Sequence, residues 1–104
     1  MDSSGPDALA TAREANDAGM AALKAGQPAA AMAAFQRATR ADPGALPLWR
    51  NLAHASRLAG DTQSERAALN QALSIDRLDF GSQLRLAQLL QRENEESAAL
   101  IAWN

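Results

Sequence analysis

Apolar and polar positions follow a helical period along this chain, and residues that end helices cut it at regular intervals. Between residues 46 and 59, Trp49, Leu52, Ala53 and Ser56 share one stripe at about 100° per residue. Asp42-Pro43-Gly44 precedes that stretch and Gly60-Asp61 closes it. Proline cannot continue a helix and biases the residue before it away from helical geometry, while glycine accepts a left-handed stop. Pro28 and Pro47 stand near helix starts, where proline is tolerated. The pattern predicts six helices, over 7–25, 28–41, 46–59, 62–75, 80–92 and 95–104. Thr62-x-x-Glu65 reads as a capping box opening the fourth.

The interruptions recur every 34 residues. At that shift Gly26 falls on Gly60 and then on Asn94, which after glycine tolerates a left-handed turn best. Ala18 falls on Leu52 and Leu86, Gly19 on Ala53 and Ala87, and Phe35 on Leu69 and Trp103. Ala38 meets Ala72, and Asp42 meets Asp76. Small residues match small, large match large, and turn residues match turn residues.

A 34-residue unit of two helices resembles the tetratricopeptide repeat, and the resemblance runs over residues 12–104. Repeats at 12–45 and 46–79 are followed by a truncated one at 80–104, about 2.7 in all, behind a flexible stretch at residues 1–7. The second repeat departs from the family pattern at Glu65, where alanine is usual, and at Arg77, where proline is usual. The resemblance implies an all-α, right-handed α-solenoid of antiparallel helix pairs. Ala38 and Ala72 would allow close approach, and Phe35, Leu69 and Trp103 would fill the core, with Trp49 packed between the first two repeats. It also implies a protein- or peptide-binding scaffold whose first helices line a concave surface.

The residues flanking the inner stripe give that surface a sign. Arg50, Asn51, His54, Arg57 and Leu58 lie beside the stripe of helix 46–59. The equivalents include Arg13, Asn16, Asp17, Met20 and Lys24 earlier in the chain, and Leu84, Arg85, Gln88, Gln91 and Arg92 later. Arg13, Lys24, Arg50, Arg57, Arg85 and Arg92 fall there, six of ten basic residues, against Asp17 alone of twelve acids. A groove for an acidic segment or a carboxylate is expected, since arginine's planar fork suits that group, with His54 as a pH-sensitive contact. Family members that bind chaperone tails clamp two carboxylates with Lys and Asn, Asn, and Lys and Arg from successive repeats. Asn51 and Arg85 match that clamp, while Asn16, Met20 and Gly81 replace three of its residues.

Composition excludes other chemistry. Alanine occurs 26 times and leucine 14 times, while valine and tyrosine are absent, which favours helix over strand. Net charge is −2, giving no global pull toward nucleic acid or anionic membrane. The chain has no cysteine and one histidine, so no thiolate or paired-His metal site can form. No cofactor is expected. Glu93, Glu95 and Glu96 read as a solvated loop with charge at a helix N-terminus, and no nucleophile has an orienting acid beside it. The expectation is a non-enzymatic scaffold.

The polar, acidic N-terminus is no signal peptide, and no apolar run approaches the ~18–20 residues of a membrane span. A cytoplasmic protein is expected, and nine arginines to one lysine suggest a GC-rich bacterial genome. The stretch from Leu52 to Arg77 also looks like the repeats that precede bacterial aspartyl/asparaginyl β-hydroxylase-type domains, which implies a module that positions substrate or dimerises. The last helix carries Ala98, Ala99, Leu100, Ile101 and Trp103 with no capping helix after it, and a homodimer through that helix is expected.

Overall fold

The computed structural model describes residues 6–103, and side chains over residues 7–101. Five α-helices follow one another: α1 (Pro6–Lys24), α2 (Pro28–Ala41), α3 (Leu46–Ala59), α4 (Thr62–Ile75) and α5 (Phe80–Trp103). No strand occurs among the described residues. Each helix packs on the next one in sequence, and the body measures 55 × 31 × 23 Å.

The α1/α2 and α3/α4 turns are built the same way, 34 residues apart. Gly26 and Gly60 adopt left-handed φ angles of 73° and 76°. Gln27 N donates to Ala22 O at 2.8 Å, and Asp61 N donates to Ser56 O at 2.9 Å. These bonds and the glycine N–H bonds one turn back, to Leu23 O and Arg57 O, satisfy carbonyls that a helix end would leave bare. The links between pairs also repeat. Asp42 N donates to Ala38 O at 3.0 Å, and Asp76 N donates to Ala72 O at 2.9 Å. Arg77 therefore replaces the proline of the earlier turn without changing the turn.

The core lies between these pairs. Phe35 and Leu69 are fully buried with Ala31, Ala53, Ala55 and Ala68 around them, and a second cluster joins Ala12, Ala15, Ala38 and Leu48. Gly19 is needed here for space: a Cβ on it would stand 2.6 Å from Phe35 Cδ1, inside the ring's contact radius. Trp49 is half-buried, not fully enclosed as expected. Its ring packs on the larger cluster, and its Nε1 donates to Pro43 O at 2.8 Å, latching α3 to the turn before it.

Four expectations need correction. Residue 6, one position before the predicted start at 7, already belongs to the first helix, because proline is favourable in a first turn; residues 1–5 lie outside the described residues. The cap of α4 is Asp61, whose carboxylate accepts from Ser64 N at 3.0 Å, so Thr62 and Glu65 form no capping box. The predicted helices 80–92 and 95–104 are one helix, and five helices replace six. Asn94 permits a left-handed turn but does not compel one, and no non-glycine residue has positive φ among the described residues. Glu93, Glu95 and Glu96 are good helix formers, so the helix continues and these acids lie within it, not in a loop. The expected packing of the third repeat fails with that turn: Ala87, Leu90 and Ala99 are exposed, and the Trp103 side chain lies outside the described residues.

Candidate functional site

The N-terminal halves of α3 and α5 flank an open hollow of about 410 Å³. From α3 it receives Arg50, Asn51 and His54, which share a face because they are three and four residues apart or adjacent. From α5 it receives Gly81, Ser82 and Arg85, and Leu69 of α4 forms its apolar floor.

The start of α5 sets the wall. Asp79 is its cap: Ser82 N donates to Asp79 Oδ2 at 3.2 Å, and Ser82 Oγ donates to the same oxygen. Asp61 and Ser64 make the matching pair at the start of α4. Asp79, however, is buried and also accepts from Arg50, whose Nε approaches Oδ2 at 3.1 Å and whose Nη2 bonds Oδ1. The Arg50 guanidinium, with Ser82, holds the Asp79 carboxyl down to about 2 from an ordinary 3.8. Arg50 is thus neutralised by a buried acid.

Arg85 differs. It stands half-buried on the opposite wall and has no carboxylate within ion-pair distance among the described residues. His54, also half-buried, lines the same hollow, and its Nδ1 finds no hydrogen-bond partner among the described residues. Burial, then the charges of Arg85 and Arg57, push its pKa below the usual 6.5. Asn51 Nδ2 donates to Asn16 Oδ1 at 2.8 Å, tying α3 to α1 along the same inner surface.

Of the ten residues singled out from sequence, Arg50, Asn51, His54 and Arg85 therefore share one hollow. Arg13 and Asn16 line a second one of about 250 Å³ beside Asp42 and Leu48. Lys24 and Arg57 are exposed in the last turns of α1 and α3, and Gln88 is exposed on α5. Arg92 turns to α4, where its Nη2 donates to both oxygens of buried Glu65, at 2.9 and 3.1 Å. Arg66 beside Glu65 reaches Glu93 in the opposite sense.

Residues 12–55 match the family model described as tetratricopeptide repeat. Over those residues the chain is similar to the tetratricopeptide repeat. Such repeats mediate protein–protein interactions, and the matched segment contains α2, most of α1 and the part of α3 that carries Arg50, Asn51 and His54. No curated protein matches the chain. Within the repeat frame, Asn51 and Arg85 of the two-carboxylate pattern line the same hollow, with Gly81 in place of the pattern's lysine. Asp79, Ser82 and Glu65 escaped the sequence reading as parts of this surface. The spacing Asp-x-x-Ser before a helix was a usable signal for Asp79, because it is a side-chain cap pattern seen again at Asp61.

No helix among the described residues is long and apolar enough to cross a membrane. No group of three or more His, Cys, Asp or Glu side chains converges there as a metal site.

Proposed function

We propose that this protein is a tetratricopeptide-repeat binding scaffold that holds a carboxylate of an acidic peptide segment in the hollow between α3 and α5. The observation that carries the reading is Arg85, a guanidinium on a half-enclosed wall with no acid of its own, facing the Asn51 amide and His54. A carboxylate there would accept bidentate hydrogen bonds from Arg85. Leu69 supplies an apolar floor for the neighbouring side chain of the ligand. Arg50 contributes less, because Asp79 already accepts from it, and Arg92 is committed to Glu65. In the wider groove, which Asn16 and Gln88 also line, Arg13, Lys24 and Arg57 steer the ligand by charge.

The test is peptide binding measured by fluorescence anisotropy, with acidic, neutral and basic peptides of equal length. The acidic peptide binds best, and added salt weakens it, because exposed charges are screened over ~10 Å at 0.1 M. Arg85→Ala weakens binding by about 10- to 100-fold, the range of a charged hydrogen bond, without loss of helicity. Equal affinity for acidic and basic peptides, or full binding by Arg85→Ala, would remove the proposal.

A further inference from the structure

The end of α5 carries the two halves of a helix contact that this chain makes twice elsewhere and does not make here. In α1/α2, Gly19 meets the Phe35 ring, and Ala22 packs on the cluster that holds Ala31 and Phe35. In α3/α4, Ala53 and Leu69 belong to the same buried cluster. One period later the corresponding positions are Ala87 and Leu90 on the first half of α5, and Ala99 and Trp103 on its second half. Both halves stand open: Ala87 and Ala99 are exposed, Leu90 is 52% exposed, and Leu100 and Ile101 beside Ala99 are 69% and 74% exposed.

Within one copy the two halves cannot meet. Their meeting needs a turn at Asn94, and α5 runs straight through it. Residues 90 and 99 lie about 13 Å apart along one rod, at 1.5 Å of rise per residue. Two copies remove the obstacle. If two α5 helices lie antiparallel and cross near residues 94 and 95, Ala99 of each reaches Leu90 of the other. The contact is the one α1/α2 and α3/α4 already make, opened at its hinge and exchanged between chains. It is isologous, so it closes as a dimer and does not propagate.

We propose that the protein forms an exchanged homodimer through α5, each copy's residues 95–103 completing the third helix pair of the other. A second copy is the occupant because both surfaces belong to one sequence and their complementarity is set by the 34-residue register. The ion pairs Arg92–Glu65 and Arg66–Glu93 hold the first half of α5 on its own α4, so the second half alone changes partner. This inference stands on the open faces of α5 and is independent of the carboxylate hollow.

The chain has no cysteine, so Leu90→Cys with Ala99→Cys is a clean probe. On mild oxidation of the full chain, the exchanged dimer gives a disulfide-linked dimer on a non-reducing gel. An internal disulfide in a monomer would mean that the chain closes its own hairpin, and free thiols in a monomer would mean that the faces do not meet. Either result overturns the proposal. Sedimentation of the unmodified protein over a wide concentration range checks it without cysteines. A reversible monomer–dimer equilibrium, shifted toward monomer at least tenfold by Ala99→Lys at unchanged helicity, supports exchange. A strictly monomeric chain contradicts it.

Discussion

The first two helix pairs and the long last helix are written in the same 34-residue register, yet only the first two fold back. At Gly26 and Gly60 the backbone takes a left-handed angle and each helix reverses onto its partner. At Asn94 it does not, and α5 runs unbroken over 24 residues from Phe80 to Trp103. The difference teaches that apolar positions at the right spacing do not close a helix pair by themselves. Closure needs a residue for which the left-handed turn carries little penalty, and asparagine among three glutamates is better served by another turn of helix. The exposure of Leu90 and Ala99 is the consequence, while Ser56, Glu65 and Ala31 at the same register are buried.

The contrast has a direct energetic form. Phe35→Ala removes a fully buried ring and lowers stability by about 3–5 kcal/mol, a large share of what a domain of this size has. Leu100→Ala, in dilute solution where the chain is monomeric, changes stability by less than about 0.5 kcal/mol, as surface substitutions do. Urea melts of the two variants check the difference. Equal losses would mean that the two regions are packed alike.

A middle-sized effect separates the start of α5 from its end. Asp79→Ala removes the cap of α5 and the acid that holds Arg50, lowering stability by about 1–3 kcal/mol. The sign with pH follows from the lowered carboxyl. The stability Asp79 supplies is present above its ordinary 3.8 and is lost as pH falls toward about 2. Acid titration of the wild type and Asp79→Asn, followed by circular dichroism, should show the variant losing less on acidification. The same variant frees Arg50, so acidic-peptide affinity should rise by several-fold at neutral pH.

Much of the fold was legible because it is local and periodic. The bounds of α2, α3 and α4 follow from Pro28, Asp42-Pro43, Pro47 and Gly60, each of which acts on its own backbone. What was not legible is what one helix does to another. Arg50 and Arg92 look free on a single helix face, but their acids, Asp79 and Glu65, come from a turn and from α4. A helical projection of one segment contains neither. Asn94 departs from its register for a related reason: its tolerance for a turn is a property of the residue, whereas the choice between turn and helix depends on its neighbours.

The smallest effect belongs to His54. Burial and the neighbouring arginines favour its neutral form, so its contribution to stability is present above pH 6.5 and declines as pH falls from there toward its lowered pKa. A bound carboxylate offsets Arg85 and Arg57 and raises that pKa, so binding takes up a proton. Acidic-peptide affinity should therefore strengthen a few-fold as pH drops below about 6.5. His54→Gln should flatten the pH profile in the same anisotropy measurement.

The two regions also compete as binding surfaces, one polar and half-enclosed, the other apolar and open. A single titration decides between them: backbone and side-chain resonances followed while an acidic peptide is added to labelled protein. The account predicts shifts concentrated at Asn51, His54, Gly81, Ser82 and Arg85, with the resonances of Ala98 to Ile101 unmoved. Shifts centred on Ala98 to Ile101, or spread evenly along the chain, would contradict it.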